Sequence, residues 1–322
     1  MDDNLLVGHK AAIEDTIEKL KENGLTIKVD DTLTDYLSCE IIRSQEGNCA
    51  WLGQPHLIAN LEKTFGNEVI GLRKYLTPGT PGQFQVRETN TDLLLPTEKH
   101  SKYRTGVGML QYVIKTRPDL ANPIRELSKV LDGPTEASYK EMLRIIKFTL
   151  DTRNYGLLLC PKGKLGEPWE MVCYTDADYA GDPVTRRSVT GYIIFLHGVP
   201  VCFCSRSQKS VTLSSCESEW IALSEAVKDV MFILHLCESM QIEVKLPVTV
   251  RVDNVGAIFM TDNVTTTART RHVDTRTKYV REFAQDGTLY IKFVASSDNV
   301  ADIMTMRSIL GNWCLRGLDP RL

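Results

Sequence analysis

Five short apolar-rich runs in the C-terminal half have the length of β-strands, and the first of them alternates apolar and polar residues with the strand period of two. Longer segments between and after these runs carry apolar residues at helical spacing. The predicted strands are 171–176, 191–196, 199–204, 247–252 and 288–294, and the predicted helices are 214–240, 254–262, 273–285 and 298–310. Three successive strands followed by alternating strands and helices predict an α/β unit, a mixed five-stranded sheet flanked by helices.

The N-terminal part has a mixed pattern. Helical spacing over 11–20 ends at Asn23-Gly24, a common helix stop. Strands are predicted over 25–29 and 36–42, and a second helix over 54–65. This part is therefore predicted to combine helices with a small sheet.

A stretch rich in Pro-Gly pairs and poor in apolar residues follows, and it predicts a linker. Helical patterns then return from 98 to 150, where Thr135 is predicted to cap a helix. The whole chain is predicted to be α+β. Its predicted segments are 1–75, the linker 76–97, 98–165, 166–310 and the tail 311–322.

The bulk composition is that of a globular protein, with 43% hydrophobic and 25% charged residues and a net charge of −3. This balance argues against a protein that binds nucleic acid through overall positive charge, and it leaves a local basic groove open. Nine cysteines occur without paired CxxC spacing, so reduced, buried or half-buried thiols are expected. No apolar run reaches the roughly 18 residues of a membrane span, and no membrane partner is expected.

Four acidic residues stand where predicted elements begin or end. Asp176 ends the first C-terminal strand, and Glu219, Asp253 and Asp302 accompany later elements. If they converged, each carboxylate pair at ~4 Å would cost about 4 kcal/mol at an effective dielectric of ~20. Divalent cations would neutralise such a cluster, and two cations held by oxygen ligands are the usual apparatus of phosphodiester cleavage.

The helix over 214–240 offers two glutamates for this cluster. Ser214 and Glu217 have the spacing of a capping box, which would hold Glu217 at the helix end. Glu219 instead heads an apolar stripe that faces the sheet, where a buried carboxylate needs a partner. Glu219 is therefore preferred over Glu217.

For the other acidic residues, a purely structural role is an alternative to a role in the site. Asp253 could cap the helix that follows it. Asp298 is the more natural cap of the last helix, which would leave Asp302 free to face the site. Asp178 and Asp182 are better explained as turn residues.

Four segments carry a resemblance to a known family: YTDADYAGDPVTRRSVTGYIIFL from Tyr174, SSCESEWIALSEA from Ser214, VDNVGAI from Val252 and SSDNVADI from Ser296. In order and spacing they resemble the ribonuclease H domain of a copia-type LTR retrotransposon Pol polyprotein. The resemblance implies a ribonuclease H-like fold and hydrolysis of the RNA strand of an RNA–DNA hybrid. It also implies that Asp176, Glu219, Asp253 and Asp302 hold two Mg²⁺ ions, for which Mn²⁺ can substitute.

Basic residues around these segments are expected to contact the nucleic-acid backbone. They are Arg186, Arg187, Arg206, Lys209, Arg269, Arg271, His272 and Arg276. Arg206, Gln208 and Lys209 are also candidates for recognising the ribose 2′-hydroxyl. A second basic group either meets nucleic acid or forms a solvated face, and it consists of Lys140, Arg144, Lys147 and Arg153.

The preceding segments extend the resemblance. YRTGVGMLQY from Tyr103, TRPD from Thr116 and PTEA from Pro134 resemble the thumb and connection of these polyproteins. The opening Asp2-Asp3 resembles the YxDD hairpin of a reverse transcriptase palm, joined after its tyrosine, although an ordinary acidic N-terminus would look the same. Asp2 and Asp3 would then be vestigial polymerase ligands in a truncated palm. The family's earlier metal-binding aspartate would lie upstream, so no DNA synthesis is expected.

Two other functions stay open from the sequence. The chain could be a silent nucleic-acid-binding or subunit-interaction fragment of a decayed element, or an integrase- or resolvase-like DNA nuclease. The resemblance implies the remainder of a Pol polyprotein as a partner. It also implies a cytoplasmic location, inside a virus-like particle where the element is intact, or the nucleus.

Overall fold

The computed structural model describes residues 4–30, 33–163, 166–262, 271–306 and 315–317, with backbone only for 260–262, 271–277 and 315–317. Two five-stranded sheets and a layer of helices make up these residues. None of the described helices is both long enough and apolar enough to cross a membrane.

The first half of the chain builds a small sheet and a group of packed helices. Its elements are α1 (Lys10–Glu22), β1 (Asp35–Tyr36), β2 (Cys39–Arg43), β3 (Ala50–Gly53), α2 (Pro55–Val69), α3 (Thr97–Val113), α4 (Ala121–Ser128), α5 (Glu136–Asp151) and β4 (Tyr155–Leu159). Phe65, Leu110 and Ile145 lie in the shared core of α2, α3 and α5. Thr135 caps α5 in a capping box with Ser138, as predicted.

The second half builds the larger sheet. Its elements are β5 (Trp169–Asp178), β6 (Val189–Leu196), β7 (Val199–Ser207), α6 (Ser215–Ser239), β8 (Val244–Val252), α7 (Val255–Asp262), α8 (Arg271–Gln285), β9 (Leu289–Phe293), α9 (Asp302–Thr305) and β10 (Leu315–Gly317). Of these, β5 to β9 form the sheet, and β10 pairs with β4 in the smaller one.

The larger sheet has the strand order β7-β6-β5-β8-β9. β5, β6 and β7 are antiparallel neighbours, whereas β8 is parallel to β5 and β9 is parallel to β8. β6 and β7 meet at His197-Gly198, both with positive φ, a conformation suited to a two-residue hairpin turn. The apolar stripe of α6 packs on one face through buried Trp220 and Leu223. The predicted mixed five-stranded, ribonuclease H-like sheet is confirmed.

The smaller sheet joins strands that are distant in sequence, in the order β1-β2-β3-β4-β10. Ala50 lies opposite Leu159 in the β3–β4 pair, and β4 pairs in turn with β10. It therefore draws on three of the five segments into which the sequence was divided. That division stays a prediction.

Three predicted elements are wrong. Residues 25–29 form no strand, and Leu25 and Val29 are 54% and 44% exposed, so strand-forming residue types there lack a packing partner. The range 36–42 is a hairpin rather than one strand, because Leu37 and Ser38 adopt positive φ between β1 and β2. The helix expected from residue 298 is a 3₁₀ turn over Ser296–Asp298, and α9 begins only at Asp302.

The expectation of reduced thiols is also wrong at one place. A disulfide joins Cys49, just before β3, and Cys160, just after β4, next to the paired residues Ala50 and Leu159 at the end of the β3–β4 ladder. Adjacent antiparallel strands bring these two cysteines together across 111 residues of sequence. Among the described residues, six cysteines remain free thiols.

Candidate metal centre

Four separate elements deliver the four predicted carboxylates to one end of the larger sheet. Asp176 lies near the carboxyl end of β5, and Asp253 directly follows the parallel strand β8. Glu219 lies near the start of α6, and Asp302 is the first residue of α9. Parallel strands place their carboxyl ends at the same edge of a sheet, which explains why β5 and β8 bring their aspartates together.

Three of the four carboxylates form a compact cluster. One oxygen each from Asp176, Glu219 and Asp253 lies within 4.8 Å of the others. Asp302 completes the group, since its carboxylate is close enough to Asp176 and Asp253 for their charges to raise its pKa. The structure therefore brings together all four residues that the sequence singled out.

Neighbouring donors hold the acidic side chains in place. The Ala177 amide donates to Glu219 Oε1 at 3.2 Å, and Ser296 Oγ donates to Asp253 Oδ2 at 3.0 Å. The Thr305 hydroxyl donates to Asp176 Oδ2. Glu219 Oε2 is buried and has no hydrogen-bond partner among the described residues.

Burial and mutual repulsion raise the pKa values of three carboxyl groups in the cluster. Burial, followed by the charges of Asp176 and Asp253, raises the pKa of Glu219 to about 9. Burial raises the pKa of Asp176 to about 6, although the hydrogen bond from Thr305 opposes the shift. Burial and the same neighbouring charges raise the pKa of Asp302 to about 7. Without a cation, the cluster therefore holds protons near neutral pH.

The donor set fits a hard divalent cation. Oxygen atoms of carboxylates are the ligands that Mg²⁺ and Mn²⁺ take in proteins. The buried, unpartnered Oε2 of Glu219 requires a partner, because an unpaired buried carboxylate oxygen is costly. A cation would also remove the repulsion that raises the pKa values of these groups.

The structure decides the choice between the two glutamates of α6. Glu217 Oε2 accepts from the Leu213 amide, and the Glu217 amide donates to Ser214 Oγ, so this side chain folds back on the helix end. Glu219 is 6% exposed and points into the cluster. The helical periodicity of α6 predicted this difference correctly.

The alternative roles of the aspartates are also resolved. Asn254, rather than Asp253, caps α7 by accepting from the Ala257 amide at 3.1 Å. Asp298 does not cap α9, whose N-cap residue is Ala301, so that expectation is wrong. Asp182 Oδ1 accepts from the Val184 and Thr185 amides, which confirms it as a turn residue. Asp178 is instead the last residue of β5, so its prediction as a turn residue is wrong.

Two residues near the cluster carry no acidic charge and were missed by the sequence reasoning. Gly191 of β6 lies opposite Asp176, and a Cβ there would meet Thr305 and Met304 of α9 at 2.7 and 2.8 Å. Thr305 lies one helical turn after Asp302, so both reach the site from the same element. That spacing, and a glycine inside a strand pattern, were the available signals.

The structure describes the side chains of only some of the residues that were predicted to contact the nucleic-acid backbone. Arg186, Arg187, Arg206 and Lys209 are exposed, and Arg206 lies opposite Thr190 near the end of β7. Gln208 is buried and donates to Thr190 Oγ1 and the Ser218 carbonyl, so it does not face solvent.

Other residues named from the sequence have side chains outside the described part of the chain. They are Asp2, Asp3, Arg269, Arg271, His272 and Arg276.

The second basic group is largely engaged within the protein. Arg144 donates to the Thr77 and Gly79 carbonyls, and its guanidinium lies 4.3 Å from the centre of the Tyr75 ring. Lys147 pairs with Asp151 and Arg153 with Glu62. Lys140 is exposed. These intramolecular contacts give Arg144, Lys147 and Arg153 structural roles.

Similarity to curated proteins covers nearly the whole chain. The Retrovirus-related Pol polyprotein from transposon RE1 of Arabidopsis thaliana is 30% identical over 306 residues, 95% of this chain and 20% of that protein. The corresponding polyprotein from transposon TNT 1-94 of Nicotiana tabacum is 29% identical over 316 residues, 95% of this chain and 23% of its own length. The chain thus spans about one fifth of the length of these relatives. No protein-family model matches it.

Two solved structures resemble parts of the chain. LC11-RNase H1, isolated from compost, is 17% identical, with a TM-score of 0.34 over 42% of this chain and 91% of its own. A foamy viral protease-reverse transcriptase in complex with double-stranded DNA is 11% identical, with a TM-score of 0.45 over 88% of this chain and 42% of its own. Because both scores lie below 0.5, the fold assignment rests on strand order and register.

Proposed function

Because the chain belongs to the retrovirus-related Pol polyproteins of copia-like transposons, we propose that its larger sheet carries a metal-dependent ribonuclease H activity. The substrate is the RNA strand of an RNA–DNA hybrid, which is cut endonucleolytically. The cofactors are two Mg²⁺ ions, and Mn²⁺ substitutes for them. Within the element, this chain acts as part of a longer polyprotein.

The observation that carries the proposal is the cluster of Asp176, Glu219 and Asp253. Their oxygens lie within 4.8 Å of one another, and the buried Oε2 of Glu219 has no partner among the described residues. A protein gains nothing in stability from collecting like charges in this way. The arrangement is explained if the cluster exists to hold cations.

Each acidic residue has a definite role in this proposal. Asp176 would contribute to both cation sites, and Glu219, Asp253 and Asp302 would complete them. Bound cations supply charge neutralisation for the attacking water and for the leaving 3′ oxygen. The protein itself fixes the carboxylates beforehand, through the hydrogen bonds from Ala177, Ser296 and Thr305, so little reorganisation accompanies the reaction.

Exposed basic residues near the same end of the sheet support a nucleic-acid substrate. Arg206 lies near the end of β7, Lys209 follows it, and Arg186 and Arg187 lie in the loop between β5 and β6. Contacts of this kind to phosphates release counterions, so binding is expected to weaken steeply as salt rises. Contacts to 2′-hydroxyls would distinguish the RNA strand from DNA.

A panel of end-labelled substrates tests the proposed specificity. The full chain is incubated with an RNA–DNA hybrid, single-stranded RNA and duplex DNA of one sequence, with Mg²⁺ or with EDTA. Mg²⁺-dependent cutting of the hybrid RNA strand alone is expected. Cutting of duplex DNA instead would favour a DNA nuclease, and hybrid binding without any cutting would favour a silent binding fragment.

A further inference from the structure

Helix α4 of the first half of the chain packs against the part of the larger sheet that carries the acidic cluster. Ala121 of α4 shares a buried apolar cluster with Ile193 of β6 and with Ile303 and Met304 of α9. Lys129, just after α4, pairs with Asp182 in the loop after β5. The two halves of the chain therefore meet at β6, at α9 and at the loop after β5.

Helix α9 needs this support. It has only four residues, from Asp302 to Thr305, and its N-cap residue, Ala301, makes no side-chain capping hydrogen bond. An isolated helix shorter than about 12–15 residues is marginal in water, so tertiary contacts must fix the position of α9. The cluster depends on that position, since α9 supplies both the Asp302 carboxylate and the Thr305 hydroxyl that donates to Asp176.

Asn122 makes the polar contact from α4 to this helix. Its side chain is fully buried, and Nδ2 donates to the Thr305 carbonyl at 2.5 Å. Its Oδ1 accepts from Arg125 Nη2 at 2.7 Å, and Arg125 is itself anchored to Ser207 of β7. The arginine can only donate, so it fixes which end of the Asn122 amide faces Thr305.

We propose that Asn122 is a positioning residue for the metal centre, acting through Thr305 on Asp176. Its amide holds the Thr305 carbonyl, and the Thr305 hydroxyl fixes the Asp176 carboxylate. Outer groups that orient a metal ligand typically change metal affinity or activity about 10- to 100-fold when they are removed. This inference rests on the proposed function, and it makes the segment before the nuclease sheet part of the site's support.

Matched variants of the full chain separate positioning from general stability. Asn122→Asp keeps the side-chain shape and the acceptor for Arg125 but loses the donor to Thr305. Thr305→Val removes the hydroxyl that donates to Asp176, whereas Thr305→Ser restores one. The control is Gln54→Leu, which removes another buried amide, bonded to the Tyr112 carbonyl and to Thr116, which are residues outside α4 and α9.

Two readouts are taken against Mg²⁺ concentration: the thermal unfolding midpoint and the rate of hybrid cleavage. Half-saturating Mg²⁺ is expected to rise about tenfold in Thr305→Val and about three- to tenfold in Asn122→Asp. It should stay within about twofold of the wild-type value in Thr305→Ser and Gln54→Leu. The KM for the hybrid is expected to be unchanged in all four variants, because Asn122 and Thr305 act on the metal ligands.

The two proposals fail in distinguishable ways. If Mg²⁺ stabilises the wild-type chain but the chain cuts no hybrid, the proposed nuclease activity is wrong. The Mg²⁺ titration of the unfolding midpoint would then still test the role of Asn122. Equal half-saturating Mg²⁺ in Asn122→Asp, Gln54→Leu and the wild type would overturn the positioning role. If Asn122→Asp does not fold, an unchanged titration in Thr305→Val would overturn it equally.

Discussion

Gly191 of β6 and Thr305 of α9 are in such close approach that a Cβ on the glycine would lie 2.7 Å from Thr305 Cγ2. Gly191 is also the residue opposite Asp176 in the β5–β6 pair. The missing side chain lets α9 lie directly on the sheet beside the carboxylate that Thr305 contacts. The packing of α9 on β6 and the position of the Asp176 carboxylate therefore both depend on Gly191.

Substituting Gly191 with alanine should displace α9 and impair the cluster. The added methyl group overpacks the contact, so a loss of about 1–3 kcal/mol in the free energy of unfolding is expected. Half-saturating Mg²⁺ should rise as well. Denaturant unfolding and an Mg²⁺ titration measure the two effects.

Gly108 provides the control for this prediction. It is an exposed residue within α3, and a Cβ built there meets no atom within 4 Å. Gly108→Ala should leave the Mg²⁺ response unchanged and stabilise the helix by up to about 1 kcal/mol. The same Mg²⁺ response in Gly191→Ala and Gly108→Ala would show that Gly191 does not position α9.

The metal-free protein should lose stability as pH rises. Asp176, Asp302 and Glu219 have folded-state pKa values raised to about 6, 7 and 9, whereas unfolded carboxyl groups titrate near pH 4. Between these values the folded chain holds protons that the unfolded chain has released. Stability from these groups is therefore full below about pH 4 and is lost as pH rises toward about 9.

Thermal unfolding in EDTA from pH 5 to pH 9 tests this dependence. In Glu219→Gln the decline above about pH 7 should largely disappear, whereas Glu217→Gln should behave like the wild type. Saturating Mg²⁺ should also flatten the profile, because the cation binds the deprotonated cluster. A flat profile in EDTA for the wild type would contradict the raised pKa values.

Reduction of the Cys49–Cys160 disulfide should destabilise the smaller sheet. The bridge closes a long loop between β3 and β4, and removing such a bond typically costs about 2–4 kcal/mol. Dithiothreitol should lower the unfolding midpoint of the wild type but not that of a Cys49→Ser, Cys160→Ser variant. An equal response in both proteins would mean that the bridge contributes nothing.

Local patterns predicted the larger sheet and the acidic cluster well. Short apolar-rich runs, the first of them alternating, located β5 to β9, and their order placed Asp176 and Asp253 at the same edge. Helical periodicity distinguished Glu219 from Glu217, because the inward stripe of α6 is a property of spacing alone. These features depend on residues close together in sequence or on a general rule for parallel strands.

The remaining features depend on contacts between distant segments. Nothing near Cys49 indicates that it pairs with Cys160, because the β3–β4 ladder sets that contact. Residues 25–29 have strand-forming side chains but no neighbouring strand, so propensity alone misled. The support of α9 by Asn122 likewise joins residues separated by 183 positions.

The most direct test of the central claim is a measurement of hybrid cleavage at saturating Mg²⁺. It compares three proteins at equal concentration: the wild type, Asp176→Asn and Glu217→Gln. The wild type and Glu217→Gln should cut the RNA strand at similar rates, since Glu217 only closes the start of α6. Asp176→Asn should be slower by about 10³-fold or more, the equivalent of losing about 4 kcal/mol of charge stabilisation. Cleavage by Asp176→Asn at the wild-type rate, or tight hybrid binding with no cleavage by any of the three, would contradict the account.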